Sequence, residues 1–306
     1  MKIAIIGAGL AGCNLYEKLI KKGFDVKIFE KSRGTGGRLS SKYIGDKFVD
    51  HGTPYIKTDD KSFYNFLETK VDIGVLKKID GTFYPTKGIN KLCSSLIDKK
   101  DLITNTRIVK AKKEENKWKL FDENEKIYED FDFLILTIPA TQIIENSFDL
   151  NKNDLEQLEQ ILYEAMATLI CFKDNSKKID LSNIKDDKFF FKVIDNSFKY
   201  EYKEFQSFVF HINKSFVEKN ILLSKIEFFS LVHKNIKEKF DIDLKENFEV
   251  IEHLWKFAFA KNFIEKDFIL NVEKSYGICG DYFNKTNLEA TYSSSNKLFE
   301  KLITLE

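Results

Sequence analysis

The sequence predicts an α/β protein. A βαβ unit and a β-meander share one discontinuous domain, and a second, mixed α+β domain is inserted into it. Three observations carry this expectation. An apolar run from Lys2 to Ile6 leads directly into Gly7-Ala8-Gly9-Leu10-Ala11-Gly12. A second run, residues 131–137, is nearly continuously apolar, as in a strand buried on both faces. No glycine lies between Gly88 and Gly277, and much of that stretch is rich in Phe, Lys and Asn. It reads as a separate body between two glycine-bearing ends.

The elements follow in order. Residues 2–6 are expected as a buried parallel strand. Ala11, Leu15 and Leu19 recur at helical spacing, and Gly23 stands where a helix C-terminus is capped. Residues 25–29 alternate as a second strand, with Glu30 at its end, 18 residues after Gly12. Residues 106–111 and 117–121 read as strands of the meander. Between about 145 and 268 the pattern gives aromatic strands at 189–193 and 208–212. An amphipathic helix is expected along Leu222, Ile226, Phe229, His233, Ile236 and Phe240. Residues 275–279 are expected to return as the last strand of the first domain, with Asp281 at a turn leading into a helix. An Asp there also suits a helix N-cap.

G-x-G-x-x-G has a physical reading in this context. Gly7 permits the tight turn, Gly9 lets the backbone approach a pyrophosphate, and Gly12 lets helix and strand pack closely. The helix N-terminus presents unpaired N–H groups and a positive dipole end to phosphate oxygens. Glu30 can accept hydrogen bonds from ribose hydroxyls. The motif follows a strand, opens a helix and has an acid at the right distance, so it predicts a dinucleotide site. It does not distinguish NAD from FAD.

The composition narrows the class. The chain has 306 residues, 43% hydrophobic and 32% charged, with a net charge of +1. Acidic and basic residues interleave, which argues against a nucleic-acid partner. No apolar run reaches the roughly 20 residues of a membrane span. A cleaved leader would remove the motif at Gly7, so a cytoplasmic protein is expected. Cys13, Cys93, Cys171 and Cys279 form no C-x-x-C and are expected as free thiols. The four histidines lack metal-ligand spacing, so no metal is expected. Arg33, Arg38 and Arg107 are the only arginines among 49 basic residues, and two of them share one Gly-rich loop. That placement points to a need for the guanidinium fork.

That loop, Lys31-Ser32-Arg33-Gly34-Thr35-Gly36-Gly37-Arg38-Leu39-Ser40-Ser41, resembles the R-x-G-G-R-x-x-S signature of the flavin-containing amine oxidase superfamily. Asp50-His51-Gly52-Thr53-Pro54-Tyr55 is similar to the D-x-G-A-Q-Y element of its renalase-like branch. Further resemblances follow in order. They are Phe83 to Ile89, Trp118-Lys119-Leu120, Phe133 to Ala140, His253-Leu254-Trp255-Lys256-Phe257-Ala258 (compare H-R-W-x-Y-A), Gly280-Asp281, and Glu289 to Tyr292. The resemblance implies an amine oxidase or p-hydroxybenzoate hydroxylase-like architecture. It implies noncovalent FAD held by Gly7, Gly9, Gly12, Glu30, Arg33, Gly36, Gly37, Arg38 and Asp281, the last on the ribityl chain. The FAD-binding domain would comprise residues 1–60, 86–144 and 270–306, and the substrate domain 61–85 and 145–269.

Renalase-like proteins oxidise dihydro isomers of NAD(P)H, passing hydride to flavin N5 and electrons to O2. The resemblance places Tyr55, His253 and Trp255 in the substrate pocket. The chain departs from the family at Pro54, Leu254, Phe257, Ala290 and Ser295. The last two replace glycines of a terminal helix expected to approach the flavin ring. An amine oxidase acting on another small substrate, an NAD(P)-dependent dehydrogenase and a non-catalytic FAD-binding protein are the alternatives.

Overall fold

The computed structural model describes residues 1–174, 178–181, 184 and 187–305. Two compact units emerge. Unit 1 comprises Met1–Ser40, Tyr55–Leu162 and Ala260–Glu306, and unit 2 comprises Ser41–Pro54 and Tyr163–Phe259.

Unit 1 is built on a six-stranded sheet. Its order is Ile269–Asn271, Tyr276–Ile278, Phe133–Leu136, Lys2–Ile6, Asp25–Phe29 and Leu102–Ile103. All neighbours are parallel except the first pair. Lys2–Ile6 lies at the centre, with the chain's next strand on one side and a much later one on the other. This is the topological switch point, where open α/β sheets bind ligands at the carboxyl ends of their strands. The helix Leu10–Lys21 leaves that end, and its buried side includes Leu10, Ala11, Leu15 and Leu19. A second sheet holds the meander Ile108–Glu114, Lys117–Asp122 and Ile127–Phe131, with Ser147–Phe148 added in parallel. The mixed α/β class, with its Rossmann-like unit and meander, is as the sequence predicts.

The unit boundaries differ from the expected ones. Residues 61–85 belong to unit 1, because Phe63, Phe66, Leu67 and Phe83 share a core with the first helix. Residues 145–162 also join it. Ser147–Phe148 extends the meander sheet, and the Tyr276 hydroxyl bonds both Asp154 and the Asn151 N–H. Residues 260–269 follow, ending in the edge strand. Residues 41–54 instead join unit 2, because Val49 is buried with Ile170, Phe172, Phe205 and Val209.

Unit 2 centres on a four-stranded sheet, in the order Phe190–Asp195, Phe205–Ile212, Tyr163–Asp174 and Glu249–Ala260. One face, with Leu169, Cys171, Phe208 and Phe210, packs on helical Val217, Phe228, Phe229, Val232 and Ile236. The helix expected around residues 222–240 runs Lys225–Phe240, started by a capping box between Ser224 and Glu227. Its buried stripe is Phe228, Phe229, Val232 and Ile236. Leu222, before the cap, is 99% exposed and Ile226 is 80% exposed. The expected stripe is therefore rotated, since the cap fixes which residues turn inward.

Candidate functional site

The glycine motif wraps the start of the first helix. Its N-cap is Gly9, which has no side chain to cap the first-turn N–H groups, and no acidic residue stands in that turn. The positive helix end is thus available to an anion. A Cβ on Gly12 would lie 2.1 Å from the Gly7 carbonyl oxygen, so helix and strand pack this closely only with glycine. Gly9 is different. Its φ is −79°, and a Cβ there would meet nothing within 4 Å. Neither backbone strain nor protein packing requires glycine at this position.

The second glycine loop lies alongside. Gly36 N–H donates to the Ala8 carbonyl at 2.8 Å, and Gly36 pairs with Gly9 in an isolated bridge. Gly36 has φ +123°, a conformation that glycine adopts readily. Gly37 would carry a Cβ 3.6 Å from the Gly9 Cα. Thr137 lies beneath, its hydroxyl donating to the Ile6 or Gly7 carbonyl. It ends the apolar strand and carries no motif, so sequence reading passed over it.

Glu30 is buried beside the loop. One carboxylate oxygen accepts from Ala8 N–H at 2.9 Å and the other from Ser32 N–H at 2.8 Å. Each oxygen has a further acceptor site for a hydroxyl. Arg33 is exposed. Arg38 and Asp281 form a bidentate pair, with both contacts at 2.6 Å. Asp281 is not a helix N-cap, because the terminal helix Leu288–Leu302 is capped by Asn287. Two residues expected to touch FAD are thus paired with each other.

Ser295 packs against the first helix, where its hydroxyl accepts from the buried Asn14 amide at 2.8 Å and donates to the Tyr292 carbonyl at 2.8 Å. Tyr55 belongs to unit 1, its ring 5.7 Å from that of Tyr84.

Unit 2 brings His253 and Trp255 together with two histidines that no motif pointed to. The rings of His253 and Trp255 meet edge to face at 4.3 Å. His51 stacks on Trp255 at 5.3 Å and lies 5.4 Å from His253. The backbone of His51 faces His211 and favours the protonated form of its ring. His51 had a signal, in its place beside Asp50, whereas His211 lies in a plain aromatic strand. Burial, together with the charges of His253, His211 and Lys42, pushes His51 down to about 3. Burial and Lys192 push His211 down to about 4. Burial, Lys225 and Lys42 also lower His253. At neutral pH all three rings are uncharged. Among the described residues, no group of three or more His, Cys, Asp or Glu is placed to hold a metal.

Leu254 faces away from this cluster and packs on the helix-covered core, so its departure from the family Arg lies on the other side of the sheet. Beside the cluster, Asp50 is fully buried. Its carboxylate accepts from Ser41 at 2.6 Å, from Tyr200 at 2.6 Å and from Lys199, whose ammonium also donates to the Pro54 carbonyl. Only the Asp50-to-Tyr55 motif hinted at this network.

Residues 5–69 match the NAD(P)-binding Rossmann-like domain family. Mouse renalase is 25% identical over 206 residues, which is 58% of this chain and 60% of renalase. Protein anon-37Cs of Drosophila melanogaster is 32% identical over 103 residues, 32% of this chain and 20% of the fly protein. The matches thus span less than two thirds of either relative. Among solved structures, an Exiguobacterium protein described as a protoporphyrinogen oxidase superposes with a TM-score of 0.72 at 9% identity, covering 100% of this chain and 99% of that one. Putrescine oxidase bound to putrescine gives 0.69 at 11% identity, covering 99% of each chain. These two likenesses speak for the fold. The glycine cradle, the switch-point sheet and the sequence match together give a chain with a Rossmann-like fold that is similar to renalase over 58% of its length.

Proposed function

We propose that the protein is an FAD-dependent oxidoreductase acting on a reduced nicotinamide-like ring. The observation that carries the cofactor assignment is the open side of Gly9, at an uncapped helix N-terminus and beside the Gly36–Gly37 loop. Gly7, Gly9, Gly12, Gly36 and Gly37 would admit the pyrophosphate, and Glu30 would take the ribose hydroxyls. Arg38 would turn part of its N–H fork to phosphate while Asp281 anchors the rest, and Arg33 would supply a second guanidinium from the surface. Bound FAD would supply the redox chemistry, accepting hydride at N5 and delivering electrons to O2.

Unit 2 supports the choice of substrate. Trp255, half-buried and stacked on His51, offers an aromatic ring against which a planar ring can stack. The charged side chains acting on the histidine cluster are Lys42, Lys192 and Lys225. Such a field disfavours a protonated amine and favours a ring attached to phosphate, which weighs against an amine oxidase. Tyr55 is assigned to the pocket by the family resemblance alone.

Two measurements test the proposal. Acid precipitation of the purified protein should release a yellow supernatant that chromatographs as FAD. Anaerobic mixing with the 2-dihydro and 6-dihydro isomers of NAD(P)H should bleach the flavin rapidly, and ordinary 4-dihydro NADH should not. Admitting air should then produce peroxide. A simple amine that bleaches the flavin when neither isomer does would overturn the substrate assignment. A colourless protein that binds NAD tightly would overturn the cofactor.

A further inference from the structure

Thr168 and His211 stand directly opposite each other on neighbouring antiparallel strands, so their side chains share one face of the unit 2 sheet. Both are buried, and neither Thr168 Oγ1 nor His211 Nε2 has a hydrogen-bond partner among the described residues. Buried polar atoms without partners are uncommon, and two in register call for one explanation. By strand alternation Thr168 shares its face with Ile170 and Phe172, and His211 with Val209. On the next strand Ile251 packs into the same cluster, which puts His253 and Trp255 on that face too. The unpartnered atoms therefore look out from the sheet side that carries the aromatic cluster.

Their hydrogen-bonding roles are fixed by what surrounds them. The backbone of His51 favours a proton on the His211 ring, and since Nε2 has no partner, the nitrogen that faces it is Nδ1. Burial holds the ring neutral, so Nε2 carries a lone pair and can only accept. The Thr168 hydroxyl can donate. Side by side, the two offer one acceptor and one donor, the complement of an amide edge. An amide N–H would bond His211 Nε2, and its C=O would accept from Thr168 Oγ1. A carboxylate would turn a negative oxygen towards the His211 lone pair, and a ketone would satisfy only Thr168.

We propose that Thr168 and His211 form a subsite for the amide edge, a carboxamide or lactam, of a planar ring bound to unit 2. This rests on the substrate reading above and names the group by which the ring is recognised. Both atoms are closed to solvent, so the edge reaches them by moving the side chains that cover them.

The test uses the full-length holoprotein and titration calorimetry with three oxidised, unreactive probes. These are nicotinamide mononucleotide, its 3-acetylpyridine analogue and nicotinic acid mononucleotide. The carboxamide is expected to bind about tenfold more tightly than the acetyl ring, one hydrogen bond's worth, with the carboxylate weakest. His211→Phe should erase the carboxamide preference, and His211→Gln, which keeps an acceptor, should retain part of it. Thr168→Val should weaken the carboxamide and acetyl rings by the same factor.

A wild-type protein without preference, or an unchanged preference in His211→Phe and Thr168→Val, overturns the subsite. If both variants are more stable and bind all three rings as before, a trapped water accounts for the two atoms. Rings that bind indifferently to a protein whose flavin is bleached by a dihydronicotinamide sink the subsite alone. If no ring binds while a different reductant bleaches the flavin, the substrate reading falls with it.

Discussion

Lys199–Asp50 in unit 2 and Arg38–Asp281 in unit 1 are both carboxylate ion pairs, but they are closed to different degrees. The Asp50 side chain is fully buried, and Ser41, Tyr200 and Lys199 converge on it. The Arg38 side chain is 33% exposed and meets Asp281 through one fork. A charge sealed among several donors fixes one geometry. It ties the hairpin Ser41–Ile44 and Lys47–Asp50 to the short helix Asn196–Lys199, and Asp50 N–H adds a bond to Asn196 at 3.0 Å. A half-exposed guanidinium can turn some of its donors to a second anion with little cost in desolvation. The Asp50 network thus holds part of the unit 2 fold, whereas the Arg38–Asp281 pair is open enough to rearrange.

The largest expected effect breaks the sealed pair. Asp50→Ala leaves the Lys199 ammonium buried without its carboxylate, and should cost about 3–5 kcal/mol in denaturant unfolding. Asp281→Ala leaves Arg38 able to reach water and should cost about 1 kcal/mol. Equal losses would show that exposure is not what separates the two pairs.

Acid provides the next test, and it acts on unit 2. The ordinary histidine value is 6.5, against about 3 for His51 and about 4 for His211 in the fold. Between those limits the unfolded chain binds more protons than the folded one, so stability rises with pH. The contribution is complete above about pH 6.5 and is lost as pH falls towards about 4 for His211 and about 3 for His51. The loss should be on the order of 3 kcal/mol by pH 5. Chemical denaturation at pH 7 and pH 5, repeated on His211→Phe, checks this. An unchanged pH dependence in the variant would remove His211 as a source.

The two regions also differed in how much the sequence disclosed. The βαβ unit was legible, because its strands, its helix and Glu30 are local in sequence and Gly12 answers a local steric need. Gly23, just past the first helix, adopts φ +89° as a helix-ending residue does. Unit 2 was legible as aromatic strands and one amphipathic helix. Its histidine cluster unites positions 51, 211, 253 and 255, and no periodicity links residues that meet across a sheet. Ser295 illustrates the limit from the other side. It stands where the family has glycine, but its role is set by Asn14, 281 positions earlier. The unit boundaries failed for the same reason, since Val49 and Phe63 are equally apolar and only tertiary packing assigns them to different cores.

Glu30 sharpens the comparison on the unit 1 side. Glu30→Ala should weaken FAD binding by about 2–3 kcal/mol, through lost charge-assisted bonds and a loosened Ala8 and Ser32 backbone. Equilibrium dialysis of reconstituted protein measures it. Glu30→Gln separates the two causes. An amide can still accept through its one oxygen, so affinity should fall by an intermediate amount while the thermal stability of the apoprotein stays near wild type. If FAD affinity is unchanged in Glu30→Ala with the fold intact, Glu30 serves the loop alone and unit 1 loses its clearest exchangeable group.

The smallest effect concerns Ser295, a unit 1 residue that behaves like the sealed groups of unit 2. The buried Asn14 amide donates to Ser295 Oγ and to Asn296 Oδ1, both at 2.8 Å, and joins the first helix to the last. Ser295→Ala removes one acceptor and leaves an amide N–H unsatisfied, which should cost about 1 kcal/mol. Ser295→Gly restores the family residue but adds a helix-interior glycine, costing about 1 kcal/mol more. Both variants should show a lower Tm with FAD affinity unchanged, because the hydroxyl faces the first helix. The alternative, that Ser295 narrows the flavin site, predicts the opposite pattern, with tighter FAD or faster bleaching by a dihydronicotinamide in Ser295→Gly. Asn14→Leu distinguishes them further. Replacing the amide with a side chain of similar size removes the need for an acceptor, so Ser295→Ala should cost less in that background than in the wild type. A cost that persists undiminished would mean the Ser295 hydroxyl matters through its bond to the Tyr292 carbonyl instead.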